Sequence, residues 1–203
     1  MAQVSCNYMN KIESMSIADL KRPIVFVVDM INGFAKEGAL ADTRIMEIVP
    51  AIKKLVEAVH PSVFICDSHD LDAREFKAFP VHCIKNTYES QVIDELKPYV
   101  KRIVLKNSTN AFFAPAMQEI IKNELDQYSD IIMVGCWSDI CVMQFALSLN
   151  TYLNEHEIVD KKIIVPINMI ETYCIENVHN NMKWNEVACD IMKANAIDVI
   201  ELK

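Results

Sequence analysis

Long apolar runs alternate along the chain with segments of helical spacing. The first run, residues 23–30 (P-I-V-F-V-V-D-M), is apolar almost throughout and ends near Asp29. A half-buried strand would alternate apolar and polar positions, so this unbroken run reads as a strand covered on both faces. Further strands are predicted at 62–66 (S-V-F-I-C), 102–105, 131–134, 162–167 and 197–202. Helical spacing fills the gaps. It predicts helices over 46–59, with Pro50 in the first turn and His60-Pro61 as the stop, around 90–97, over 115–128 behind Pro115, from 138 to 149, and near 180–194. Residues 68–87 read as a polar loop, and the weakly periodic residues 1–20 as an arm or short helix ahead of the core. Strands alternating with helices are the mark of βαβ units. The predicted fold is therefore α/β: a three-layer α/β/α, Rossmann-like domain over 21–203, with a central, mostly parallel six-stranded sheet.

Composition narrows the function. A chain of 203 residues with 52% hydrophobic and 24% charged content fits one soluble globular domain. Its formal charge of −8 provides no basic stripe for phosphates, so no nucleic-acid partner is expected. No apolar run approaches the roughly 20 residues that span a bilayer, and the N-terminal stretch lacks a signal pattern, so no membrane partner and a cytoplasmic location are expected. Seven cysteines without a C-x-x-C pair fit reduced thiols. Three glycines, none in a G-x-G-x-x-G or phosphate-loop pattern, argue against nucleotide chemistry.

The candidate chemistry lies at the strand ends. The run 131–134 is closed by Gly135, and Ser138 and Asp139, both N-cap types, precede Cys141, Phe145 and Leu149 at helical spacing. This places Cys141 in a first helical turn, where free N–H groups and the helix dipole are expected to lower a thiol's pKa. The preceding strands end in Asp29, Asp67 and Lys106. In a parallel sheet with right-handed crossovers, these ends share one edge. Read alone, Asp29 suits a turn, Lys106 a solvated loop and Cys141 a core position. Together they supply a base for a thiol proton and a cation for the thiolate. A second cluster follows the second strand. Asp67, His69, Glu75 and His82 combine carboxylates and imidazoles suited to Zn²⁺ and compatible with Fe²⁺ or Mn²⁺; surface histidines in a loop are the alternative.

In combination and in order, these motifs resemble the isochorismatase-like cysteine hydrolases, and within them the nicotinamidase branch. The resemblance covers nearly the whole chain from Ile24. It rests on V-D-M-I-N-G-F at 28–34, D-S-H at 67–69 with F-P-V-H-C at 79–83, Lys106 with Phe112 and Phe113, and G-C-W-S-D-I-C-V at 135–142. It implies a catalytic set of Asp29, Lys106 and Cys141, and metal ligands Asp67, His69, Glu75 and His82. It further implies a cis peptide between Cys136 and Trp137, and an oxyanion hole from the backbone N–H groups of Trp137 and Cys141. Phe34, Phe79 and Phe113 would wall the substrate, although aromatic residues also suit the core. The expected activity is metal-dependent cysteine amidohydrolysis of a small carboxamide, nicotinamide to nicotinate and ammonia, in a homo-oligomer. Ile31 and Gly33 replace polar residues usual in that branch, and Asn86-Thr87 replaces its usual Gly-Thr, displaced by Ile84-Lys85, so another small amide, carbamoyl or vinyl-ether substrate stands as the alternative. A non-catalytic ligand- or metal-binding protein is the alternative of another class.

Overall fold

The computed structural model describes residues 12–203; residues 1–11 of the expected arm lie outside the described residues. The strands are β1 (Ser14–Met15), β2 (Pro23–Val28), β3 (Ser62–Asp67), β4 (Ile103–Lys106), β5 (Asp130–Cys136), β6 (Lys162–Pro166), β7 (Ile170–Glu171) and β8 (Asp198–Leu202). The α-helices are the single turn α1 (Asn32–Ala35), α2 (Val49–Ala58), α3 (Pro115–Asn123), α4 (Met143–Glu155) and α5 (Asn181–Ala194). The sheet runs β1-β8-β6-β5-β2-β3-β4, with β7 beside the end of β5, and every pairing is parallel. The six expected strands are present, and the sheet has eight because β1 and β7 join it. Each of these is two residues long, too short to show a period in sequence.

Alternate residues of the central strands serve opposite layers, as the pleat requires. Ile24, Phe26 and Val28 pack with Met117 of α3, Phe145 and Leu149 of α4, and Met192 of α5. Val25 and Val27 pack on the other face with Ile52, Leu55 and Val56 of α2. The helix expected around 90–97 is instead a series of turns ending in a 3-10 turn, Lys97–Tyr99. Its backbone is used elsewhere: Gln91 O accepts from Asn32 N at 2.9 Å and Ile93 N donates to Met30 O at 3.1 Å. Pro98 then disfavours helix at Lys97. Similarly, 46–59 begins as a 3-10 stretch, Thr43–Ile48, before α2 with Pro50 in its first turn. No helix among the described residues is long and apolar enough to cross a membrane.

The chain lays β2, β3 and β4 outward in one direction, then returns to place β5 on the other side of β2. The strand order reverses between β2 and β5, the place where open α/β sheets leave a crevice at the carboxyl edge. Here the two strands approach closely. Gly135 sits at φ +113°, opposite Val28, and a Cβ there would lie 2.0 Å from Val28 O. Backbone cannot yield as a side chain can, so Gly135→Ala is expected to cost about 3 kcal/mol from strain and overpacking. Thermal melting should fall by roughly 6–12 °C; a melt unchanged to within about 2 °C would refute the close approach.

Candidate active site

Four neighbouring strands deliver the reactive groups. In the order β5, β2, β3, β4, their carboxyl ends carry the Trp137–Cys141 turn, Asp29, Asp67 and Lys106, with Asp67 paired to Lys106 in register. Asp29 lies one residue beyond β2 at φ +52°, in the left-handed region that Asp tolerates better than most residues. Its Oδ1 accepts the Asp67 N–H at 2.9 Å, which aims the carboxylate along the sheet edge.

Lys106 lies between two acids. Its Nζ is 2.5 Å from Asp67 Oδ1, 2.8 Å from Asp29 Oδ2 and 3.8 Å from Cys141 Sγ. A carboxylate oxygen of Asp29, one of Asp67 and the Cys141 sulfur all lie within 4.8 Å of one another. All four residues are buried, with Lys106 and Cys141 each 2% exposed. Asp29 Oδ2 meets the ammonium as an ion pair but has no well-directed hydrogen bond, so it is the oxygen free to take a proton.

Burial controls the proton affinities. It pushes Asp29 up to about 7, with Lys106 opposing and Asp67 adding to the rise. Burial also acts to raise Asp67, but Lys106, His69 and His82 hold it well below the usual carboxylate range. Lys106 stays firmly protonated: burial works against the charge, and Asp29 and Asp67 outweigh it. Burial pushes the Cys141 thiol well up, against the pull of Lys106. This corrects the lowered pKa expected from a helix start, and the local backbone explains part of the difference. Residues Ser138–Val142 form a π-type turn before α4, and no side chain caps it. Ser138 and Asp139, expected as caps, turn away to the 171–185 segment. The site thus pairs a thiol held up by burial with a raised carboxyl nearby. The peptide between Cys136 and Trp137 is cis.

The second cluster closes around one point. A short parallel pairing of His69 with Ile84, supported by His69 N to Cys83 O at 3.0 Å and Lys85 N to His69 O at 2.9 Å, brings His82 alongside. His69 Nε2 is 3.5 Å from Asp67 Oδ1 and 3.9 Å from Glu75 Oε1; His82 Nε2 is 3.8 Å from Asp67 Oδ2 and 3.9 Å from the same Glu75 oxygen. His82 Nδ1 donates to Pro80 O at 2.8 Å, and His69 Nδ1 faces Asn107 Oδ1 at 2.8 Å. Each ring is thereby held with its Nε2 lone pair toward the shared centre, the usual outer support of a ligating histidine. His69 Nε2 is buried without a hydrogen-bond partner. An orphaned acceptor beside two carboxylates and a second imidazole fits a divalent cation, and the N/O donor set suits zinc.

Aromatic rings enclose this centre. Phe34 lies 5.6 Å from His82 and 4.6 Å from Trp137, and Phe79 lies 6.3 Å and 6.4 Å from the same two rings. Phe76 meets His69 at 5.3 Å and His82 at 5.5 Å. Phe113 stands apart: it is 70% exposed, and its recorded ring contact is Phe112 at 5.4 Å. Asn107 and Phe76 were not singled out from the sequence. The available signal was adjacency, Asn107 to the strand-end Lys106 and Phe76 to Glu75.

Known proteins share this fold. Nicotinamidase 1 of Arabidopsis thaliana is 27% identical over 138 residues, a match spanning 59% of this chain and little more than half, 56%, of that protein. A nicotinamidase/pyrazinamidase of Acinetobacter baumannii superposes with a TM-score of 0.74 at 20% identity, covering 90% of this chain and 97% of that one. A Pyrococcus horikoshii pyrazinamidase in complex with zinc gives 0.70 at 19% identity, covering 89% and 99%. At such identities the superpositions speak for the fold alone. The Isochorismatase domain model matches residues 23–151, well over half of the 203 residues, and the chain belongs to the isochorismatase family.

Proposed function

We propose that the protein hydrolyses a small carboxamide, nicotinamide first, through a thioester on Cys141. The observation that carries this reading is the Lys106 ammonium, set between Asp29 and Asp67 with the Cys141 sulfur 3.8 Å away. Such a buried acid–cation–thiol group has little use in stability, because burying charges gains little over apolar packing. It suits a nucleophile that must be deprotonated on demand.

In the proposed reaction Asp29 Oδ2 takes the Cys141 proton while Lys106 holds the thiolate. The sulfur attacks the carboxamide carbon, and the new oxyanion rests on the Trp137 and Cys141 N–H groups, each worth about 3 kcal/mol of barrier. Protonated Asp29 gives its proton to the departing nitrogen, and ammonia leaves a thioester. Asp29 then deprotonates water, which attacks the thioester; the acid is released and the proton returns to sulfur. A divalent ion held by Asp67, His69, Glu75 and His82, Zn²⁺ by preference with Fe²⁺ or Mn²⁺ compatible, would supply a Lewis acid for the ring nitrogen of the substrate or for the hydrolytic water. Phe34, Phe79 and Trp137 give a flat ring faces to lie against, with Phe76 behind the histidines. Phe113 remains an outer wall in this reading. The aromatic enclosure and the similarity to nicotinamidases favour a heteroaromatic amide over a carbamoyl or vinyl-ether compound.

The direct test is release of ammonia from nicotinamide, run beside N-carbamoyl amino acids and isochorismate. Turnover of nicotinamide at kcat/KM at least about tenfold above the others is expected; a preference for another substrate would reassign it. Because Asp29 must be ionised to act, and burial raises it to about 7, kcat/KM should fall about tenfold per pH unit below that point. A profile flat from pH 5 to pH 8 would remove Asp29 as the base. Asn107→Ala should weaken zinc binding about 10- to 100-fold in competition with a chelating dye, since His69 would lose its outer support. Unchanged affinity would mean that His69 is oriented by something else.

A further inference from the structure

We propose that His179 is a positioning residue for the nucleophile turn, acting through Asp139. The inference rests on the proposed role of that turn in carrying Cys141 and the oxyanion donors. Residues 137–142 are tied on their far side to the 171–185 segment, which no motif connects to the chemistry. Asp139 Oδ1 accepts the Thr172 hydroxyl at 2.5 Å, and Asp139 Oδ2 lies 2.8 Å from His179 Nε2. Next to it, Ser138 Oγ bonds Asn185 Oδ1 at 2.5 Å, and Asn185 Nδ2 bonds Glu171 Oε1 at 2.5 Å.

The contacts of His179 define its hydrogen-bonding state. Its Nδ1 lies 2.8 Å from Tyr173 O, and a carbonyl can only accept. Its Nε2 faces a carboxylate whose other oxygen already accepts from Thr172. Nδ1 therefore donates to the Tyr173 carbonyl, and Nε2 is held at hydrogen-bond distance from the Asp139 carboxylate. The ring is only 7% exposed and lies flat between two aromatic faces, Tyr173 at 3.8 Å and 13° and Trp184 at 5.2 Å and 5°. Stacking on two aromatic faces fixes the plane of the ring. From Tyr173, tilted ring contacts run on to Trp137 at 4.6 Å and 51°, and from Trp137 to Phe34 at 4.6 Å and 50°. Ring contacts thus connect His179 through Tyr173 to the residue proposed to donate a backbone N–H to the oxyanion.

The local backbone makes the latch rigid. Ile175 and His179 form an antiparallel bridge, with Ile175 N to His179 O at 2.9 Å and His179 N to Ile175 O at 2.8 Å. His179 is therefore carried by a closed loop, not by a free tail. A buried polar pair of this kind is a poor source of net stability compared with apolar packing, and its best-attested use is to fix one geometry among near alternatives. Here the geometry fixed is that of the turn two residues before Cys141, where a displacement of about 1 Å is enough to cost about a hundredfold in rate.

The test uses the full-length protein and two variants, His179→Leu and His179→Gln. Leucine refills the space between Tyr173 and Trp184 without a donor, and glutamine restores one N–H toward Asp139. In His179→Leu, kcat for nicotinamide should fall about 10- to 100-fold with KM within about twofold. Alkylation of Cys141 by iodoacetamide, followed on the Cys141 peptide by mass spectrometry, should speed up at least about fivefold as the turn loosens and exposes the buried thiol. His179→Gln should recover much of both. A folded His179→Leu protein with unchanged kcat per molecule and unchanged alkylation would overturn the proposal, as would slower alkylation. If His179→Leu does not fold, His179→Gln is read against wild type by the same two measurements. Nicotinamide turnover absent in wild type would count against the substrate reading alone, because the alkylation arm needs no substrate.

Discussion

Cys141→Ala is expected to reduce amide turnover on the order of 10⁶-fold, the scale of losing a nucleophile outright, while the protein stays folded. The two halves of this expectation have separate physical grounds. Among the described residues no other thiol can substitute: the sulfur 3.8 Å from Lys106 is the one that shares a cation with Asp29. Cys136, the nearest in sequence, spends its S–H on Asp29 O at 3.1 Å and points its sulfur at backbone. Removing the sulfur leaves the Lys106 pairs with Asp29 and Asp67 intact, so no buried charge loses its partner. Only a small cavity results, and melting should shift by no more than about 4 °C. Cys141→Ser should be almost as inactive, because Asp29 raised to about 7 is too weak a base to ionise an alkanol. The measurement is ammonia release with an enzyme-coupled readout, beside a thermal melt. Residual activity above about a thousandth of wild type would end the thioester mechanism.

The parts of the molecule that were legible in advance share a cause. Buried parallel strands show as unbroken apolar runs, and the reactive residues follow them directly, so Asp29, Asp67, Lys106 and Cys141 could be placed on one edge from spacing alone. Features fixed by long-range pairing were not visible. Residues 90–97 have helical spacing, yet their backbone bonds go to Met30 and Asn32, some sixty positions earlier in the chain. His179 shows no pattern in sequence because its partner Asp139 is 40 residues away and its stacking rings lie on either side of it, Tyr173 in the loop after β7 and Trp184 in the first turn of α5. The lowered pKa expected for Cys141 failed for a related reason. A helix start suggests exposure to the dipole, but burial depends on what the rest of the fold puts over it, and here that is nearly complete.

Lys106→Met should be the most destabilising single change at the site, costing about 3–5 kcal/mol near neutral pH as well as the activity. Methionine matches the stem in volume, so packing is not the cause. The cause is that Asp29 and Asp67, 0% and 1% exposed, would face each other across the site without the ammonium that lies 2.8 Å and 2.5 Å from them. Lys106→Arg is no rescue, because a planar fork does not fit an enclosed point between two acids. The loss should depend on pH in a definite direction. In wild type, Asp67 has its folded pKa held below the unfolded value, so its stabilisation is present above about pH 4 and is lost as pH falls through the folded value. Without Lys106 the main downward influence on both acids is gone, and burial raises them above their unfolded values. A raised acid is neutral in the folded state at low pH and destabilises as pH climbs from the unfolded to the folded value. The gap between variant and wild type should therefore be widest at pH 8 and narrow steadily toward pH 4.5. Urea unfolding at those two values measures it. A gap below about 1 kcal/mol at pH 8, or one that does not change with pH, would mean that Lys106 does not neutralise this pair, and the acid–cation–thiol account of the site would lose its base.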